Sequence, residues 1–144
     1  MRQINLIYSG YTWQKGAHYA IQGLDENPID VYMPIFNPTN WNFHKTDFKL
    51  KCPSNTSSML LNSAREKVGE IHQACEHWDV LFDGKRFTLQ LMKRGFVLKS
   101  QFAFIATLKV DAIGRITCTY ANAAQPLAPL LIYVIVNVKI SLSS

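Results

Sequence analysis

The hydrophobic period changes along this chain, and that change most constrains the fold. Six apolar residues in the middle of the chain are spaced 3, 4, 3, 4 and 3 positions apart: Leu61, Ala64, Val68, Ile71, Cys75 and Trp78. This spacing predicts one long amphipathic helix over residues 61–78, with Ser57 or Ser58 as its N-cap. Because the stripe covers only about three heptads, we expect the helix to lie on a sheet and not in a coiled coil.

After Trp78 the period becomes two. Asp83-Gly84, Arg94-Gly95 and residues 111–114 are turn signals between alternating runs, and we expect Phe102 and Phe104 on the buried face. The last run alternates without a break: Ile132, Val134, Val136, Val138, Ile140 and Leu142. The pattern predicts an antiparallel β-meander of four to five strands.

The N-terminal part predicts shorter elements. A strand around Ile4 is expected to stop at Ser9-Gly10, and a short helix to occupy residues 13–24. A strand over residues 30–36 is expected to lie at a sheet edge or a bulge, because Pro34 cannot donate a backbone hydrogen bond. A polar and aromatic loop at residues 37–45 leads into a strand over residues 46–52. The predicted fold class is therefore α+β: the meander, one long amphipathic helix packed across it and a short N-terminal strand and helix, in a single domain spanning residues 1–144.

Composition limits the class of protein. An apolar content of 48% with 17% charged residues is typical of a folded globular domain and excludes a disordered tail. The sequence shows neither a secretory signal nor an apolar run long enough to span a bilayer, which favours a cytoplasmic protein without a membrane partner. Cys52, Cys75 and Cys118 are far apart and form no CxxC motif. We expect reduced, buried thiols, the alternatives being one disulfide with a leftover thiol or a reactive cysteine.

Charge is distributed unevenly. Residues 84–144 carry eight basic residues and one acid (8 − 1 = +7), whereas residues 1–83 carry seven basic and nine acidic residues (7 − 9 = −2). This asymmetry predicts an acidic partner, which is nucleic acid, another protein or the acidic half of a second copy.

No motif identifies a reaction. Five possible ligands lie within two turns of the predicted helix: Glu70, His72, Cys75, Glu76 and His77. They do not form a zinc motif, and a solvated helix face is the simpler interpretation. His44-Lys45-Thr46 matches half of a two-histidine phosphoesterase signature, and no second copy occurs. We therefore predict a non-enzymatic protein without catalytic residues, metal or cofactor. A small metal- or histidine-dependent hydrolase is kept as an alternative.

Two groups of residues are candidates for partner binding. Trp41 and Phe43 lie in the polar loop, where aromatic side chains are typical of contact surfaces, although Trp41 could instead fold back onto the domain. The basic candidates belong to the meander: Lys85, Arg86, Lys93, Arg94 and Lys99. Strand order places Lys93 and Arg94 at one end, with Lys85, Arg86, Lys109 and Arg115 nearer the other. The basic meander also supports an alternative function as a nucleic-acid-binding module.

The order of the predicted elements resembles that of the small completion and terminator proteins that cap the tails of tailed phages. In this resemblance residues 30–34 and 62–76 occupy the corresponding strand and helix. It implies a structural role in a virion, without catalytic residues. The predicted function is thus a homo-oligomeric assembly or interaction subunit, which associates through its basic C-terminal half and its aromatic loop.

Overall fold

The computed structural model describes residues 2–23, 28–34, 40–44, 49–54, 57–74, 76–93 and 95–143. These residues form twelve strands, a short 3-10 helix (Asn122–Leu127) and one α-helix, α1 (Ala128–Ser143). The strands are β1 (Arg2–Thr12), β2 (Gly16–Gln22), β3 (Ile29–Met33), β4 (Asn40–His44), β5 (Lys49–Ser54), β6 (Ser57–Leu61), β7 (Lys67–Gln73), β8 (His77–Phe82), β9 (Lys85–Met92), β10 (Gly95–Ser100), β11 (Phe104–Val110) and β12 (Ile116–Tyr120).

The twelve strands form a closed antiparallel barrel. Each strand pairs with its neighbours in the chain, and β1 pairs with β12, from Arg2 opposite Tyr120 to Leu6 opposite Ile116. Up-and-down connection places successive turns at alternate ends. We call the end where α1 begins the base. The opposite end, which carries the turns after β1, β3, β5, β7, β9 and β11, is the hairpin end.

Helix α1 lies inside the barrel. Seven of its side chains are completely buried: Leu130, Leu131, Tyr133, Val134, Ile135, Val136 and Val138. Tyr133 contacts the wall at β6 and β7, whereas Lys139 lies over the ring of Tyr19 on β2, on the opposite side of the ring of strands. A helix that is apolar all round requires cover on every side, and the barrel supplies it.

The number of strands explains why a helix fits. A barrel of about eight strands has an interior that side chains alone can fill, and the diameter grows with strand number. Twelve strands enclose a wider space, which α1 and the inward-facing side chains occupy together. Leu6, Leu50 and Leu108 are examples of inward residues that are buried on separate strands.

The structure contradicts the predicted meander with a helix packed across it. Residues 61–78 contain the end of β6, all of β7 and the start of β8. Within this segment Ile71 and Trp78 are buried, but Ala64 is exposed in a turn, so the apparent stripe does not share a face. The turn after β6 contains neither glycine nor proline, and Arg65 takes the positive φ of 62° that turns of this kind usually assign to glycine. The residue types of this segment therefore do not indicate a turn.

The C-terminal prediction is wrong in the opposite sense. The alternating run ending at Leu142 is a helix and not the last strand of a meander. Its β-branched residues favour strands intrinsically, but enclosure by the barrel overrides that preference. Because residues 133–138 of α1 are all buried, hydrophobic spacing carries little information about its period.

Three local predictions are also corrected, and others are confirmed. Residues 16–22 form β2 and not a helix, and β3 is not an edge strand, because it pairs with both β2 and β4 and ends before Pro34. Ser9-Gly10 does not end β1 but lies at an irregularity in its pairing with β2. The turns at Asp83-Gly84 and at residues 111–114 are confirmed. The element order behind the phage-tail resemblance does not occur in the structure.

Candidate interaction surface

Strand β1 of the β1–β2 hairpin extends beyond its neighbour β12, while β2 stays paired with β3 up to Ala17 opposite Met33. Strand β1 pairs with β12 only over residues 2–6, whereas its pairing with β2 continues to Thr12 opposite Gly16. Residues 7–12 therefore have β2 on one side and no described strand on the other. This overhang of six residues measures about 20 Å along the strand.

Glycine is required at the tip of this hairpin. Gly16 has a φ of +88°, and a Cβ atom placed there would lie 1.9 Å from the carbonyl oxygen of Met33. Gly10 has a φ of +136° at the point where the pairing register shifts after Tyr8. Such a bulge increases the local twist of the strand. Both glycines thus shape the part of the hairpin in which β1 extends past β12.

Exposed apolar side chains collect at the hairpin end. Nine large hydrophobic side chains are exposed among the described residues, and seven belong to this end: Tyr8, Tyr11, Trp13, Leu91, Met92, Ile113 and Leu142. Trp13 is 72% exposed in the turn of the hairpin itself. Seven exposed side chains of this kind at one end of the barrel favour an interaction surface there.

Aromatic stacking connects the hairpin to the barrel core. The ring of Tyr8 meets the ring of Tyr19 edge-on at 5.5 Å, and Tyr19 stacks on the buried Trp41 at 5.5 Å. The Lys139 ammonium lies 5.5 Å above the ring of Tyr19. Burial, and to a lesser degree the neighbouring Tyr8, raises the pKa of Tyr19. The hairpin is therefore anchored by the residues that close the lumen.

A second cluster supports the outer face of the hairpin. His18 Nε2 lies 2.9 Å from Asp30 Oδ1, and the imidazole stacks on Tyr32 with 4.6 Å between the ring centroids. Lys15 lies 5.1 Å from the same Tyr32 ring. These contacts join β2 to β3 and restrict movement of the hairpin relative to the wall.

The predicted aromatic loop is largely strand β4. Trp41 is only 2% exposed and Phe43 is also buried, so both side chains belong to the core. The alternative in which Trp41 folds back onto the domain describes its position correctly. We therefore place no partner contact of the outer surface on either side chain.

The basic candidates do not form one patch. Lys85 and Arg86 lie near the base, Lys93 lies in the turn after β9 at the hairpin end, and Arg94 is outside the described residues. Lys99 donates to Gln90 on the outer wall at 2.9 Å. Lys109 and Arg115 lie at the hairpin end with Lys93, and not near Lys85 as expected.

Phe102 and Phe104 are not core residues as predicted. They are 89% and 78% exposed at the base, and Phe104 is the cross-strand neighbour of Lys99. An irregularity in the pairing between β10 and β11 lies at this point, so the alternation that predicted burial is interrupted.

The catalytic and metal candidates are not brought together. Glu70 lies 3.5 Å from His72, and Asp79 lies 3.4 Å from His77, all on exposed or half-exposed outer surface. The side chains of His44 and Cys75 lie outside the described residues. Within the part of the chain that the structure describes, no three metal-ligating side chains cluster.

Sequence reasoning missed the functional potential of Tyr8, Tyr11 and Trp13. Three aromatic residues within six positions, between Leu6 and Lys15, were divided between a strand, a loop and a helix. Gly16, which disfavours that helix, and Gly10, which precedes it, are the signal that could have indicated a bulged hairpin.

Among the described residues, no helix is long and apolar enough to cross a membrane. Comparisons with protein-family models, with curated proteins and with solved structures find no significant match for this chain.

Proposed function

We propose that this protein is a non-catalytic assembly subunit that associates with a second copy of itself through the β1–β2 hairpin. The observation that carries this proposal is the overhang of β1, where residues 7–12 have strand β2 on one side only. A strand edge presents a row of backbone N–H and C=O groups, and another strand is its complementary partner.

The amino-acid composition of residues 7–12 favours pairing of this strand edge with another strand. Natural sheet edges are commonly blocked by lysine, proline or inward-pointing charges. Residues 7–12 read Ile-Tyr-Ser-Gly-Tyr-Thr and contain none of these, and the bulge next to Gly10 is the protective feature that is present. Neutral side chains allow two copies to approach without like-charge repulsion.

A second copy fits the edge because antiparallel pairing about a two-fold axis is self-complementary. Each β1 strand would supply the partner that the other lacks, and the contact would close as a dimer. Tyr8, Tyr11 and Trp13 provide apolar area around the new strand pair. Aromatic side chains provide such contact area at low cost in conformational entropy.

The test is the mass of the protein in solution, by light scattering after size exclusion at low and high salt. The expected result is a dimer that persists in high salt, because backbone hydrogen bonds and apolar contacts are weakly screened. Ser9→Lys places a charge on the edge and should give a folded monomer. The matched control is Thr107→Lys, at an exposed position of β11 that is paired on both sides, and it should remain dimeric.

A wild-type monomer at about 100 μM, well above the micromolar range of a moderately stable dimer, would refute the proposal. A dimer that Ser9→Lys leaves intact would refute the role of the hairpin. Circular dichroism of each variant separates loss of association from loss of folding.

A second candidate function is binding of single-stranded nucleic acid. The exposed Phe104 is the cross-strand neighbour of Lys99, and Phe102 is exposed in the adjacent turn. Exposed aromatic rings beside cations are typical of surfaces on which bases stack. Fluorescence anisotropy with a labelled oligothymidine at two salt concentrations tests it. Salt-sensitive binding that Phe104→Ser weakens would favour this function over self-assembly.

A further inference from the structure

The outer wall of the barrel at β4, β5 and β6 carries a second surface, whose side chains are suited to bind an anion. A pocket of about 250 Å³ lies where β4, β5 and β6 meet the turn after β6. The polar residues of its lining are Asn42, Lys49, Lys51, Asn62 and Arg65. Three of these five residues are cations, and no carboxylate of the described residues belongs to the lining.

The cations are held near one another by the sheet. Lys49 and Lys51 are two positions apart on β5 and therefore point to the same face. Lys49 stands between Asn42 on β4 and Leu61 on β6 in the pairing register. Like charges at this spacing repel one another, and a bound anion would relieve that repulsion.

None of the three cations has a described counter-ion. The ion pairs of the described residues involve Lys67, Arg115 and three histidines, and neither Lys49, Lys51 nor Arg65 takes part in any of them. Arg115 shows the contrast, since its guanidinium Nε lies 3.1 Å from the Asp111 carboxylate. The pocket thus concentrates positive charge that the described part of the protein does not neutralise.

The turn that carries Arg65 also directs an amide donor. Asn62 Oδ1 accepts the backbone N–H groups of Ala64 at 3.0 Å and Glu66 at 2.9 Å. With its oxygen engaged in this way, Asn62 keeps the two N–H donors of Nδ2 for another acceptor.

Trp41 lines the pocket from the inner face of the sheet. It is paired with Leu50, and both side chains are buried in the core, whereas Lys49 and Lys51 are exposed on the outer face. The donors available to an anion on the outer face therefore include Asn62 and the three cations.

We propose that this pocket binds the phosphate group of a small phosphorylated molecule. Three cations more than balance the charge of about −2 on a phosphate monoester, which also offers three acceptor oxygens to Asn62 and the cationic side chains. The remainder of the ligand lies against the apolar wall formed by Leu61. The site is separate from the hairpin contact and does not depend on it.

The first measurement is the change in Tm of the full chain with inorganic phosphate and with ribose 5-phosphate. A Tm that rises with ligand concentration follows from binding to the folded state alone. Chloride at equal ionic strength is the blank. We expect ribose 5-phosphate to stabilise the protein more than inorganic phosphate does, because it fills more of the pocket.

Arg65→Gly is the decisive variant, because glycine suits the positive φ of this position and the fold should persist. It should weaken ribose 5-phosphate binding at least tenfold. The matched control, Lys85→Gln, removes a cation near the same end of the barrel outside the pocket and should leave affinity unchanged.

Two results would overturn the proposal. One is an equal ligand-induced Tm shift in wild type, Arg65→Gly and Lys85→Gln, or the absence of any shift beyond that of chloride. The other is binding of oligothymidine that depends on Arg65 while ribose 5-phosphate does not bind, because the pocket would then recognise the phosphates of nucleic acid.

Discussion

Tyr133 donates its phenolic hydroxyl to the backbone carbonyl of Ser58 at 3.0 Å, which joins α1 to strand β6 across 75 positions of sequence. The Ser58 hydroxyl donates to Asn137 Oδ1 at 2.5 Å, and Asn137 Nδ2 donates to the Tyr133 carbonyl at 2.8 Å. An apolar helix in an apolar lumen has little preference for one rotation about its axis. This buried polar cluster defines the orientation of α1 because its groups find partners in one arrangement.

Tyr133→Phe should therefore destabilise the protein. Loss of the hydroxyl leaves the Ser58 carbonyl without this donor inside the barrel, which costs about 1–3 kcal/mol in the free energy of unfolding. Urea denaturation measures the change. Tyr11→Phe removes the same atom from an exposed ring and should shift the free energy by less than about 0.5 kcal/mol. Equal effects of the two substitutions would contradict the role assigned to the cluster.

Two glycines with positive φ should respond differently to alanine. Gly84→Ala introduces a Cβ that meets nothing within 4 Å, so only the backbone conformation opposes it, at about 1–2 kcal/mol. Gly16→Ala brings the Cβ to 1.9 Å from the Met33 carbonyl oxygen and should cost about 3 kcal/mol or more. Thermal or urea unfolding of both variants compares them. If Gly84→Ala is the more damaging substitution, the placement of β2 against β3 is wrong.

The sequence predicted turns and short strands better than it predicted the architecture. Asp83-Gly84 between β8 and β9 was recognisable because its residue types belong to tight hairpin turns. Leu50, buried between the exposed Lys49 and Lys51, also follows the predicted alternation of β5. These features depend only on neighbouring residues, which is why local reasoning reached them.

Closure of the barrel and the position of α1 depend on contacts between distant residues. The residues next to Leu6 in the sequence do not indicate that it pairs with Ile116. Val134 lies in an apolar run whose alternation is equally compatible with a strand. The candidate pocket has the same origin, since Trp41, Lys49 and Arg65 come from separate elements. Charge counting found the basic C-terminal half, but the folded chain places its cations at both ends of the barrel.

Val68 and Ile71 distinguish the barrel from the predicted helix directly. The helical stripe placed both residues on one buried face, so aspartate at either would unfold the protein. In the structure Ile71 is buried in the lumen. Val68 is half-buried, and because it lies three positions before Ile71 on β7, its side chain is on the opposite face of the strand. Ile71→Asp should prevent folding, because it buries an unpaired charge. Val68→Asp should leave a folded protein with a lowered Tm, and two equally severe effects would favour the helix.

Alkaline pH tests the enclosure of β12. Burial raises the pKa of the Cys118 thiol from its ordinary value of 9.0 to about 12. The thiol's contribution to stability is complete below pH 9, because both states then hold the proton. Above pH 9 the unfolded chain releases that proton while the folded protein keeps it, so the free energy of unfolding falls by about 1.4 kcal/mol per pH unit until pH 12.

Urea denaturation between pH 9.5 and 10.5, about one unit apart, measures this slope. Cys118→Ala should be less steep by the same amount, and since Tyr19, Cys52 and Cys75 are present in both proteins, the difference isolates one thiol. Identical slopes would mean that Cys118 ionises in the folded state and that the wall at β12 admits water.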